Sequence, residues 1–157
     1  MLSVFLTLVF SQASAVADTT HCAAAARFLR DDRHMVAAID ADTIDDWRTR
    51  QKVAGCRITA AGGTGIGVQP EAVRLYERLR SAGWTRTPDP RDAPNEASLR
   101  FRWERTDCLF NVSAEAMLNT EAESRVNDAL VLKPGERRYQ VLVLCMPAMA
   151  SVAREPG

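Results

Sequence analysis

The sequence holds no apolar run long enough to span a membrane: the longest, residues 1–10, reaches about half of the roughly 20 residues that a spanning helix needs. It carries no excess of either charge. Twenty basic and twenty acidic residues are interspersed, so the formal net charge is zero and no footprint for nucleic acid forms. Histidine is scarce. His21 and His34 are the only two, both in polar surroundings and without a neighbour that would make either a general base. Neither a G-x-S-x-G elbow nor an H-E-x-x-H pair occurs, which removes two common routes to hydrolysis.

Other absences exclude metals and nucleotides. The acidic stretch beginning at Asp40 lacks the glycine at the sixth position of a calcium loop and has Gln51 at the twelfth. The glycines from Gly62 to Gly67 fit neither G-x-G-x-x-G nor a P-loop, and no lysine follows them, so they read as a flexible turn. The four cysteines stand dozens of residues apart with no C-x-x-C, and the two histidines are not spaced i, i+4, so zinc is not expected. Carboxylates come in solvated runs such as Asp31-Asp32 and Asp45-Asp46, a pattern that sets no acid–base pair at a working distance. No catalytic residue, cofactor or metal ligand is assigned.

What is present starts with a leader. Residues 1–10 are almost wholly apolar and run into Ser11-Gln12-Ala13-Ser14-Ala15-Val16-Ala17, the pattern of a signal peptide with an A-x-A cleavage site. The Ala15-Val16-Ala17 frame places the cut before Asp18, and Ala13-Ser14-Ala15 offers a second frame. The segment has no lysine or arginine, a departure from the usual pattern. Asp-Thr-Thr-His before Cys22 is not the small aliphatic run of a lipid-anchored cysteine. Residues 1–17 are thus expected to be a signal peptide, 18–150 a single domain and 151–157 a disordered tail. The expected location is exported, periplasmic or extracellular, with no stable membrane insertion after cleavage.

Four cysteines in an exported chain imply two disulfides with three possible connectivities. The strand pattern chooses among them. Residues 99–114 place Leu99, Phe101, Trp103, Cys108, Phe110, Val112 and Ala114 at alternate positions, the period of half-buried strands. A turn at Arg105-Thr106 would set Glu104 opposite Asp107, Phe101 opposite Phe110 and Leu99 opposite Val112. If residues 139–146 run antiparallel beside the second of these strands, Cys108 meets Cys145, Phe110 meets Val143 and Val112 meets Val141. Cross-strand neighbours lie at bridging distance, which leaves Cys22 for Cys56. The last strand is apolar on both faces and should be interior to the sheet. The first strand of the hairpin carries Arg100, Arg102 and Glu104 on its outer face and should lie near an edge.

The remaining elements follow from local signals. Thr19 or Thr20 is read as the cap of a helix through Arg30 whose stripe is Cys22, Ala25, Ala26 and Leu29. Residues 35–39 read as extended, and Thr43 as the cap of a short helical turn with Asp45 and Asp46 at its positive end. Residues 53–60 read as the first strand. Residues 70–83 form the longest helix, with Pro70 in its first turn, an apolar stripe of Ala72, Val73, Leu75, Tyr76, Leu79 and Ala82, and Gly83 as its left-handed stop. Residues 85–97, with three prolines, read as loop, and 120–132 as either a helical turn or a long excursion. The fold class expected is α+β: a mostly antiparallel sheet of about four strands, the long helix on the face of Phe101 and Phe110, the N-terminal helix over part of the other face, and two disulfides.

The outward hairpin face, with Arg100, Arg102, Asn111, Ser113 and Gln140, is the candidate binding surface, since adjacent guanidiniums favour carboxylate partners. Asn111-Val112-Ser113 also matches a glycosylation sequon, though within a strand. The expected function is a non-catalytic exported module that binds a partner protein or envelope component through its sheet. The alternative is a small-ligand carrier or enzyme with a cavity between helix and sheet lined by Tyr76, Phe101 and Trp103. A third possibility, an enzyme inhibitor, would rest on the loop at 85–97.

Overall fold

In the computed structural model residues 18–87 and 98–149 are described. The leader at 1–17, most of the proline-bearing loop at 85–97 and the tail at 151–157 lie outside them. Among the described residues the strands are β1 (Val36–Asp46), β2 (Gln51–Thr64), β3 (Thr85–Arg86), β4 (Ser98–Trp103), β5 (Thr106–Ser113) and β6 (Arg137–Pro147). They form one antiparallel sheet in the order β1-β2-β6-β5-β4-β3. The helices are α1 (Ala23–Arg27), α2 (Val68–Ser81) and α3 (Glu121–Ala129). The class is α+β, with six strands rather than about four.

β6 is interior, between β2 and β5, as its two apolar faces require. Tyr139, Val141, Val143 and Cys145 are at most 1 % exposed on one face, and Leu142 and Met146 are buried on the other. The β5–β6 register sets Cys108 against Cys145, Phe110 against Val143 and Val112 against Val141. Both disulfides form, Cys22–Cys56 and Cys108–Cys145. β4 is one strand in from the edge, with the two-residue β3 outside it.

The β4–β5 hairpin corrects the expected pairing. Trp103 faces Thr106, so the turn is Glu104-Arg105, and Phe101 opposes Cys108 while Leu99 opposes Phe110. The slip is two residues, which keeps every side chain on its own face; the apolar alternation fits both registers equally. Charge separates them. The expected register sets the carboxylates of Glu104 and Asp107 opposite each other, whereas the observed one sets Asp107 opposite Arg102.

A second correction concerns residues 35–47. Thr43 caps no helical turn; it lies within β1, which pairs with β2 over eleven residues. The reversal comes later, where Thr49 N and Arg50 N both donate to Asp46 O. The aspartates disguise this strand, but the long ladder with β2 outweighs their local preference for caps. The glycine stretch is likewise partly strand: Gly62 and Gly63 belong to β2, and a Cβ at Gly62 would sit 2.9 Å from the Tyr139 ring.

The helical layer is built on one face. α2 buries Leu75, Tyr76 and Leu79 against Phe101 and Phe110, while Val73 faces solvent at 54 % exposure. It stops as its sequence indicates. Gly83 takes φ +97°, and Trp84 N donates to Leu79 O at 3.0 Å. α1 is flanked by a 3₁₀ turn (Thr20–Cys22) and a π-helical turn (Phe28–Asp32), and its stripe of Cys22, Ala25, Ala26 and Leu29 is fully buried. Neither Thr19 nor Thr20 caps it through a side chain; the Thr20 amide donates instead to Asp18. This N-terminal segment lies on the same face as α2, not the opposite one, because its bridge ends on Cys56 and it shares one apolar cluster with Ile58 and Leu75.

α3 covers the other face at one end, where Ala122 and Val126 are buried. Thr120 and Glu123 form a capping box, and the Glu123 carboxylate also accepts from Met117 N at 2.7 Å and Leu118 N at 3.0 Å. Burial pushes this carboxyl up, but those backbone donors outweigh it and hold its pKa below the ordinary value.

Candidate functional site

The five residues of the expected binding surface share the face opposite α2, but most of that surface is turned to internal use. Arg100 is completely buried: its guanidinium lies 5.1 Å from the centre of the Trp47 ring and its Nη1 lies 3.9 Å from Met146 Sδ. Arg102 donates from Nε to Asp107 Oδ1 at 2.7 Å and from Nη2 to Asp107 Oδ2 at 3.0 Å. Gln140 is 3 % exposed and donates to Asn127 of α3. Asn111 accepts from Ser98, and Ser113 donates to Glu115 O at 2.6 Å. The two arginines therefore do not project side by side into solvent.

Asp107 centres this face. It is fully buried and accepts from Arg48 Nη1 at 3.0 Å as well as from Arg102. Arg48, in the β1–β2 turn, also donates to both oxygens of buried Asp46, at 2.9 and 3.1 Å. Burial pushes the Asp107 carboxyl up, but hydrogen bonds from Arg102 and then Arg48 outweigh it and hold it below the ordinary carboxylate range. Burial likewise lowers the Arg48 pKa, and its bonds to Asp46 and Asp107 more than restore it. The result is a charge-assisted clamp that ties the β1–β2 turn to the hairpin, with every strong bond spent inside the fold.

The expected cavity between α2 and the sheet is filled. Tyr76 stacks on Phe101 at 5.9 Å, and Phe110 meets Phe101 and Trp84 edge-on at 6.0 and 5.7 Å. A groove opens just beyond this core, where the N-terminal segment crosses the Trp84–Trp103 pair. It comprises two adjoining hollows of about 220 and 260 Å³ that share Ala24, Arg27, Trp84 and Trp103. The indole rings lie 5.5 Å apart, tilted by 39°. A Cβ at Gly83 would stand 3.2 Å from Trp103, so bare backbone lets that ring settle.

The rim of the groove is polar. His21 Nδ1 and Thr106 Oγ1 are 2.9 Å apart, and Glu104 lies beside them at the hairpin turn. Glu104 takes φ +52°, a left-handed conformation that costs a non-glycine residue about 1 kcal/mol or more. Neither the Arg27 nor the Glu104 side chain makes a hydrogen bond or ion pair with another described residue. Sequence reasoning placed His21 in isolation because its neighbours are remote in the chain. The Cys22–Cys56 bridge is what brings residue 21 to the hairpin.

Among the described residues no strand pairs with the outer edge of β1. In an antiparallel ladder the N–H and C=O of one residue point the same way, alternating along the strand. Ala37 O accepts from the Arg30 guanidinium at 2.8 Å, and Thr43 N donates to the Asp42 carboxylate at 2.8 Å. The odd-numbered residues of β1 therefore face outward, and Ile39 and Ala41 lie between the two capped positions. Acidic side chains line this edge. Asp42 pairs with Arg57 at 3.1 Å, and Asp45 only loosely with Lys52 at 3.8 Å in full solvent.

Among the described residues no group of three or more histidine, cysteine, aspartate or glutamate side chains is placed to hold a metal ion, and no helix is long and apolar enough to cross a membrane. The two disulfides point to an oxidising compartment. The chain matches no family model, and no curated protein or solved structure is measurably similar to it.

Proposed function

We propose that this chain is an exported binding module, periplasmic or secreted, that takes a partner protein or envelope component through its sheet and performs no chemistry of its own. The observation that carries the reading is the eleven-residue edge strand β1, with the outward backbone of Ile39 and Ala41 between two capped positions. An exposed edge of this kind is a template for strand addition. The partner segment that fits is extended and carries basic residues at alternate positions, because Asp40, Asp42 and Asp45 would repel a second copy of the same strand.

Proline tests this cleanly. The Ala41 amide faces away from the β2 ladder, so Ala41→Pro removes an outward donor and no ladder bond, and stability is expected to change by about 1 kcal/mol or less. With a synthetic peptide of alternating lysine and valine as probe, the wild-type amides of Ile39 and Ala41 should gain protection from hydrogen exchange. Ala41→Pro should abolish binding, and Asp40→Lys should weaken it. Equal binding by wild type and Ala41→Pro, or no binding to either, overturns the edge as the docking site.

A further inference from the structure

We propose that the Trp84–Trp103 groove is a second, independent site, built for a neutral saccharide. Its floor is the partly exposed ring of Trp103, backed by Trp84 at 4 % exposure, and its rim offers both kinds of hydrogen-bonding group. Arg27 supplies donors, Glu104 supplies acceptors, and the His21–Thr106 pair stands beside them. A sugar ring presents an apolar C–H face and a hydroxyl perimeter that donates and accepts, the complement of this arrangement. Arg27 borders both hollows and meets one carboxylate in each, Glu104 in the first and Asp32 in the second, a balance that favours a neutral ligand over a charged one. Each hollow, at about 220 and 260 Å³, is below the 300 Å³ or so of sites for drug-sized molecules, which suits a single ring in each.

Glu104 supplies the second argument. It holds a left-handed conformation that glycine would adopt without strain, yet the position carries a carboxylate that no described residue bonds. His34, Arg50 and Asn119 take the same conformation, so what sets the exposed Glu104 apart is its place on the groove rim. The site is distinct from the β1 edge, and its ligand need not compete with a partner strand.

The discriminating variant is Glu104→Gly, which removes the strain together with the acceptor; Arg27→Ala removes the donors. Maltotriose and the trimer of N-acetylglucosamine serve as neutral probes and benzoate as an anionic ring, with the indole N–H resonances of Trp84 and Trp103 as readout. Millimolar trisaccharide should shift both indoles. Glu104→Gly should weaken that binding by at least about tenfold while its melting temperature does not fall, and Arg27→Ala should weaken it similarly. A purely structural Glu104 would leave binding unchanged in the glycine variant. That result, preference for benzoate, or no indole shift with either trisaccharide overturns the proposal.

Discussion

Asp107→Ala is expected to destabilise the fold by about 3 kcal/mol or more, the effect of removing one partner from a buried ion pair. The side chain has no exposure and holds two guanidiniums, those of Arg48 and Arg102. Arg102 retains some access to solvent, with its side chain 29 % exposed, but that of Arg48 is only 2 % exposed and keeps Asp46 alone. Urea denaturation at neutral pH measures the loss directly. The difference from wild type also depends on pH. A carboxyl whose folded pKa is depressed stabilises the fold fully above its unfolded value, and that stabilisation disappears as pH falls through the folded value. The stability gap should therefore hold at neutral pH and narrow below about pH 4. A loss under 1 kcal/mol, or a gap that grows in acid, contradicts the clamp described here.

The second large effect belongs to the Cys108–Cys145 bridge. It links directly opposed residues of β5 and β6 and closes a loop with a sequence separation of 37. In the chain-entropy account a loop of that length constrains the unfolded chain by about 4 kcal/mol. Replacing both cysteines with alanine should lower stability by about that amount. The urea dependence should also steepen, because the unfolded chain, no longer tied, exposes more surface. An unchanged midpoint would mean that the sheet alone holds β5 against β6.

The parts of the fold legible in the sequence are those where side chains alternate without interruption. Phe110, Val112, Val141 and Val143 share one face with Cys108 and Cys145, and setting the two cysteines opposite each other fixes the β5–β6 register and its bridge. The β4–β5 pairing is not fixed in this way, because a slip of two residues preserves the alternation; the Arg102–Asp107 pair decides it. β1 is obscured for a different reason. Four aspartates among its eleven residues resemble a capped turn, and the strand declares itself only against β2. The start of α3 did carry a local signal: Thr120 and Glu123 have the spacing of a capping box.

The candidate sites divide along the same line. Arg100, Arg102, Asn111, Ser113 and Gln140 do share a sheet face, as alternation requires, but alternation says nothing about what lies over that face. α3 and the β1–β2 turn cover it from opposite ends, and Gln140 and Arg100 end beneath them. The tryptophan groove joins residues 21, 27, 84 and 104 from three separate stretches of chain, and no local pattern links them.

Export and cross-linking underlie the whole account, and peptide mapping of the exported protein without reduction, together with N-terminal sequencing, tests them most directly. The expected product begins at Asp18 and yields two linked peptide pairs, one joining Cys22 to Cys56 and the other Cys108 to Cys145. Free thiols, a bridge between Cys56 and Cys108, or a retained leader on a product that stays in the cytosol would contradict it.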